Sequence, residues 1–346
     1  YSAFWPNGYP KAVPSLTPPR ANVTPAGLPI GTGTKLEVYD TGLAPRGPGE
    51  LPNVATLASA DNELIDIDGD GIVGYPAAGH GKAIAGVIAT LAPGAIVQEA
   101  RVSDRSGLVT DVSAARRMAD SLRNLPRQGW PSLMINAFGT VVCDLDPNTP
   151  GAQLEPVGLK AVVEVTDRFD PIQPDGMVIL ASAGNQDSSR ENYPAAFDSV
   201  LSVGALDATL DPSGDAYSSG TRTGPKAAFS NYGDWVKVWA PGVALRTNHV
   251  SGVAFEKGLA VLNGMAAVDG SSFGPPYVGA LIAEQMSLTG LDARDAWELI
   301  EAQGADPLAE CGASPSSAPA GVAVALVSLS STVTATTPGS GQPVSC

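Results

Sequence analysis

Asp269-Gly-Ser-Ser-Phe-Gly-Pro-Pro-Tyr-Val-Gly-Ala-Leu-Ile-Ala283 joins a short polar turn to an apolar run. Phe273, Tyr277, Val278, Leu281 and Ile282 recur at roughly helical spacing. Pro275 and Pro276 fall in what would be the first turn, where a missing N–H costs least. The spacing predicts a buried helix with Ser272 at its N-terminus. There, unpaired backbone N–H groups and the positive end of the helix dipole point at whatever the hydroxyl approaches. Taken alone, the stretch fits a helix cap as well as a nucleophile, because Ser and Gly are common at that position.

Two stretches upstream carry the complementary chemistry. Lys35-Leu-Glu-Val-Tyr39 alternates and stops at Asp40-Thr41-Gly42, a strand that delivers a carboxylate to its C-terminal end. His80-Gly81 opens the Ala-rich segment Lys82–Ala92, read as a packed helix. Apolar strands are expected near 95–102, 133–136, 177–181, 199–204 and 235–239, with helices near 110–125 and 154–170. Residues 43–65 read as loop. Strands alternating with helices of this length predict an α/β fold, a mostly parallel sheet between helices.

Composition agrees with a filled core: of 346 residues, 44% are hydrophobic and only 16% charged. The net charge of −15 argues against nucleic acid or an anionic membrane as partner. No apolar run is long enough to span a bilayer, and the first residues lack a basic start and an apolar core of a signal peptide. Residues 1–30 read as an extended Pro-rich arm, 31–304 as the main domain, and 305–346 as a Ser/Thr/Pro/Ala-rich extension with a hairpin in it. The three cysteines allow at most one disulfide, and Cys311 and Cys346 bracket the tail.

Asp66-Ile-Asp-Gly-Asp-Gly71 places carboxylates at alternate positions, like the first half of a calcium loop. Ala77 stands where an EF-hand needs its twelfth-position Glu, so only a weaker structural calcium site on Asp66, Asp68 and Asp70 is open, beside a plain Asp/Gly turn.

The order Asp40, His80, Ser272 is the order found in subtilisin. With their flanks, Val38-Tyr-Asp-Thr-Gly42, His80-Gly81 with Ala85-Gly86, Ala181-Ser-Ala-Gly-Asn185 and Gly270-Ser-Ser-Phe-Gly-Pro-Pro276 resemble the signature segments of the subtilisin-like serine peptidases. The resemblance covers about residues 33–303 and implies a subtilisin-like fold and endopeptidase activity. It implies that Asp40 orients His80, that His80 is general base and then acid, and that Ser272 attacks the peptide carbonyl. Asn185 and the Ser272 N–H become the oxyanion donors. Such chemistry needs no cofactor.

The resemblance also implies two substrate-flanking segments, here Val102–Gly107 (with Ser103 and Ser106) and Ala137–Gly139, pairing with the peptide backbone. The pocket for the residue before the scissile bond would be lined by Ala137, Phe138, Gly139, Ala183 and Gly184, with Gln186 near its floor. A neutral floor predicts an uncharged side chain there. Peptide or protein is then the substrate, the chain a monomer, and the setting secreted, an inference from the family, the acidic surface and the tail cysteines. The stretch before Asp40 is shorter than the family's pro-segment, which leaves open a mature form from which it has been cleaved or an enzyme that folds without one.

Two departures from the family pattern bear on activity. Lys82 follows the general base by two residues, where it would either lower the histidine's pKa or point to solvent. Gly274-Pro275 replaces two small residues, often Ala-Ala, and alters how the helix presents Ser272. These leave two rivals open: a subtilase fold kept for binding, and an enzyme processing one dedicated peptide, with acyl transfer to an amine.

Overall fold

The computed structural model describes residues 5–12, 23–24, 26–58, 61–104, 106–128, 132–141, 155–169, 176–207, 226–303 and 322–323. The chain runs β1 (Lys11–Ala12), β2 (Lys35–Asp40), β3 (Val54–Thr56), α1 (His80–Leu91), β4 (Ile96–Arg101), α2 (Asp111–Gln128), β5 (Leu133–Asn136) and β6 (Thr140–Val141). It continues through α3 (Val157–Phe169), β7 (Val178–Ser182), β8 (Asn192–Tyr193), β9 (Val200–Leu206), β10 (Val238–Pro241), β11 (Leu245–Ser251) and β12 (Asn263–Val268). A 3₁₀ turn, Ser271–Phe273, leads into α4 (Gly274–Thr289), followed by α5 (Ala293–Gln303) and β13 (Val322–Ala323).

Eight strands form one sheet in the order β13-β10-β9-β7-β5-β2-β4-β3, every pair parallel. Buried on both faces, the central strands read as continuous apolar runs rather than alternations: Leu133–Asn136 and Val200–Leu206 are buried throughout. In β2 the buried Glu37 is satisfied within its own strand, accepting from the Tyr39 hydroxyl at 2.7 Å. Helices α1 and α4 pack on one face, with the antiparallel hairpin β11–β12 against α1. Helices α2 and α3 cover the other face. The Asp111 carboxylate at the start of α2 caps α3, accepting from the N–H groups of Gly158 (2.9 Å) and Leu159 (2.7 Å).

From β2 the chain first builds outward on one side (β3, β4) and then crosses to the other (β5, β7). The direction of winding thus reverses at β2, and the carboxyl ends of strands at such a reversal open into a crevice. Asp40 ends β2 at that point.

The expected sheet between helices is present, with local differences. Residues 43–65 are not all loop: β3 pairs with β4 as an edge strand, too short to show a period. The strand expected from Trp235 begins at Val238. The hairpin β11–β12 and helix α5 carried no clear signal; β12, Asn-Gly-Met-Ala-Ala-Val, is built of small residues with a weak alternation. Ser272 lies in the 3₁₀ turn, one step before the α-helix, and Pro275 and Pro276 occupy that helix's first turn. In the tail, β13 pairs parallel with β10. The rest of the expected hairpin, with Cys143, Cys311 and Cys346, lies outside the described residues. No helix among the described residues is long and apolar enough to cross a membrane.

Candidate active site

Asp40 and His80 meet at the crevice. The His80 Nδ1 lies 2.8 Å from Asp40 Oδ1 and 2.9 Å from Oδ2. A carboxylate only accepts, so Nδ1 carries a proton, and in the neutral imidazole Nε2 is then the nitrogen with the lone pair. Two further bonds fix this geometry. Thr41 N–H donates to Asp40 Oδ1 at 2.7 Å, and the Thr41 hydroxyl oxygen accepts the Gly81 N–H at 3.0 Å, tying the strand end to the start of α1. Gly81 is required there: a Cβ would come within 2.4 Å of the Gly42 carbonyl oxygen.

The turn bearing Ser272 abuts the same helix N-terminus, with the Phe273 ring 5.6 Å from that of His80. Ser271 anchors the turn: its N–H donates to Asn185 Oδ1 at 2.8 Å and its hydroxyl oxygen accepts the Gly184 N–H at 3.0 Å. Asn185 lines the cavity beside Ser272, and with its Oδ1 engaged the amide's donor is Nδ2. Gly274 explains one departure from the family pattern. A Cβ at this position would lie 2.6 Å from a Val203 methyl, so the helix can reach β9 this closely only with glycine.

That cavity, about 60 Å³, is lined by Ala137, Phe138, Gly139, Gly184, Gln186 and Asn192 together with the Ser272 turn. Ala183 is buried behind the wall and does not line it. Gln186 does line it, but its amide oxygen is held by Asn231 Nδ2 at 3.0 Å. A further lining residue, unforeseen from sequence, is Asn192. It is buried, donates to the Ser182 carbonyl at 3.1 Å, and stands so close to Gly139 that a Cβ there would be 2.1 Å from its Nδ2. Val102, Ser103, Ser106 and Gly107 do not line this cavity. Their loop doubles back, Ser103 pairing with Val109 and Asp104 Oδ1 accepting the N–H groups of Ser106 and Leu108.

Behind the Asp40–His80 pair lies a cluster of buried carboxyl groups that no local pattern announces. Glu63 accepts the Gly79 N–H at 3.0 Å, just before His80, and also the Tyr75 hydroxyl. Glu99 is fully buried against Gly81. Burial, joined by the charge of Asp40, pushes Glu63 up from 4.5 to about 8, and burial with Asp40, Glu63 and Asp61 raises Glu99 as well. Between pH 4.5 and about 8 the folded protein therefore holds a proton on Glu63 that the unfolded chain has lost. Stability falls as pH rises through that window. Glu63→Gln is expected to flatten this fall by a few kcal/mol (about 1.4 per pKa unit). Equal slopes of unfolding free energy against pH in the two proteins would refute it.

Lys82 does not point to solvent. Its ammonium is buried, pairs with Glu50 at 2.9 Å and donates to the Pro45 carbonyl, also at 2.9 Å. The carboxylates of Asp66, Asp68 and Asp70 converge, with ligand atoms within 4.8 Å of one another. Their oxygens also accept N–H groups of their own loop, at Gly69, Gly71 and Ile72 among others.

Comparison with known proteins supplies relatives for the chain. A sequence model of the subtilase family matches residues 31–299. The thermostable alkaline protease of Halalkalibacterium halodurans is 24% identical over 263 residues, covering 73% of this chain and 57% of that protein. Subtilisin DY of Bacillus licheniformis is 24% identical over 285 residues, covering 76% of this chain and 84% of that protein. The chain thus spans less than two thirds of the first relative and most of the second. Among solved structures, a cold adapted subtilisin-like serine proteinase superposes with a TM-score of 0.60 at 18% identity, over 91% of this chain and 94% of its own. A lanthipeptide protease superposes with a TM-score of 0.58 at 19% identity, over 79% and 80%. At these identities the structures speak for the fold.

Proposed function

This chain belongs to the subtilase family, and from that premise we propose that it is a serine endopeptidase acting through an acyl-enzyme on Ser272. The observation that carries the reading is the Asp40–His80 pair at 2.8 Å, set against the helix-opening turn that bears the serine. His80 Nε2 takes the Ser272 proton as Oγ attacks the peptide carbonyl. The resulting oxyanion is met by the Asn185 amide and the Ser272 N–H. His80 then passes its proton to the departing amine, and a water activated the same way hydrolyses the ester.

The small neutral cavity built around Asn192 supports a small uncharged side chain before the scissile bond, and that narrowness favours a restricted set of peptides. Labelling with a fluorophosphonate probe tests the catalytic assignment. Stoichiometric label on Ser272 that is lost in His80→Ala is expected; a folded wild type that takes no label would leave a binding role. Digestion of a peptide library on the same sample reads the pocket, and strong preference for Lys or Arg would overturn the reading. Product masses with added amine separate hydrolysis from acyl transfer.

The reading includes a monomer acting outside the cytoplasm, in keeping with the subtilisin relatives and the net charge of −15; fractionation and gel filtration check both. It also includes a structural calcium ion on Asp66, Asp68 and Asp70, supported by three carboxylates whose oxygens lie within 4.8 Å of one another, the ligand type calcium takes. A chelator is expected to lower the melting temperature, with added calcium restoring it. An unchanged curve would make the segment a simple turn.

A further inference from the structure

Within the leading arm, Trp5–Ala12 packs onto the body. Trp5 is 1% exposed. Its ring stands edge-on to His80 at 5.1 Å and stacks on Phe273 at 6.2 Å. It also contacts His249 at 5.7 Å and Phe255 at 6.0 Å. Its indole N–H donates to the Pro76 carbonyl at 2.6 Å. Tyr9 stacks on Phe255 at 4.7 Å, and Lys11 and Ala12 pair antiparallel with Ala267 and Ala266 of β12.

Position and direction give this contact a meaning. The cavity for the acyl side lies on one flank of Ser272, toward Phe138 and Asn192. Trp5 is not part of that lining and packs against Phe273, the residue after Ser272, and against His80. The His80 side, away from the acyl cavity, is where the departing half of a cleaved peptide must lie. Strand β12 runs toward Ser272, so an antiparallel partner runs away from it. The segment Trp5–Ala12 therefore runs from the catalytic histidine out along β12, the same direction as a leaving peptide, whose new amine faces His80. The seat suits an aromatic ring. Phe255 and Phe273 are joined by His249, which burial, with Lys82 and His80 nearby, lowers to about 3 and so keeps neutral. Neither ring nitrogen of His249 has a hydrogen-bond partner among the described residues. Beside the arm an open cleft of about 640 Å³, lined by Tyr9, Pro10, Phe255 and Leu259, continues the path.

We propose that Trp5–Ala12 is an intramolecular occupant of the leaving-group side, with Trp5 seated where the residue after the scissile bond binds. The inference rests on the serine peptidase reading above. In the resting chain, substrates with a long leaving segment must displace the arm, whereas those that release a small group need not. An aromatic residue just after the scissile bond competes best for the seat.

The experiment compares kcat/KM for a peptide with four residues after the scissile bond against that for an ester of the same acyl part. It uses the full chain as wild type, Trp5→Ala and Tyr9→Ser. Tyr9 is only partly buried, so its variant keeps the test open if Trp5→Ala fails to fold. If the arm-released state is a minor one, the peptide-to-ester ratio is expected to rise about tenfold or more in the variants. A synthetic peptide of residues 5–12 is expected to inhibit Trp5→Ala competitively against the long substrate. A ratio that stays at the wild-type value in both variants would make the arm a fixed wall and overturn the proposal. Fluorophosphonate labelling of each protein keeps the two readings apart. Label without a change in ratio sinks only the arm; absence of label in every folded protein sinks the peptidase reading itself.

Discussion

Ser272→Ala is expected to lower kcat by about 10⁶-fold while leaving KM and the melting curve nearly unchanged; that magnitude is the one measured in subtilisin itself. The substitution removes only the Oγ, from a residue 5% exposed in a turn whose anchoring bonds belong to its neighbours. Ser271, although adjacent, cannot take over. It is fully buried and its hydroxyl accepts the Gly184 N–H, so it faces β7 rather than His80. What remains is binding plus the oxyanion donors, which still accelerate the reaction over water. Single-turnover kinetics on a peptide with a small residue before the scissile bond would measure it. Turnover within about tenfold of wild type would remove Ser272 from the mechanism.

Asp40→Asn is expected to cost about 10⁴-fold in kcat, the size of loss known when a triad histidine is held in the wrong tautomer. The local bonds explain why the change is more than a loss of charge. The oxygen nearest Thr41 accepts that residue's N–H at 2.7 Å, so an amide here must keep its carbonyl oxygen toward Thr41. Its NH₂ then takes the position of Oδ2, 2.9 Å from His80 Nδ1, beside the retained carbonyl oxygen at 2.8 Å. A donor there competes with that acceptor for Nδ1 and favours the tautomer with its proton on Nε2, the atom that has to receive one from Ser272. The variant should fold normally and still bind peptide. A kcat within a few-fold of wild type would mean that His80 is oriented by something other than this carboxylate.

Asp40, His80, Asn185 and Ser272 were all legible because each marks a local change of pattern, where a buried run of strand or helix type meets Gly and a polar residue. The same holds for the parallel sheet: uninterrupted apolar segments such as Leu133–Asn136 separated by helical periods say what each element is and how the layers stack. Glu99 was not legible. In Ile96–Arg101 a glutamate reads as solvent-facing, and only the pairing of β2 with β4 turns it under Gly81. Asn192 opens the two-residue strand β8 in a polar stretch of sequence, and nothing nearby says that it lines a cavity against Gly139. Lys82 looks like a surface lysine until Glu50 and the Pro45 carbonyl are brought to it.

By itself, then, the sequence determined the candidate residues, the element that bears each one and the class of sheet that holds them, because these follow from periods and turn residues within a few positions. The tertiary structure alone decided the size of the cavity beside Ser272, the carboxyl cluster behind Asp40 and the seat of Trp5 beside His80. These contacts join residues tens of positions apart, as Trp5 and Pro76 are. No local propensity encodes them; they form only when the burial of whole faces outweighs the entropy of closing such loops.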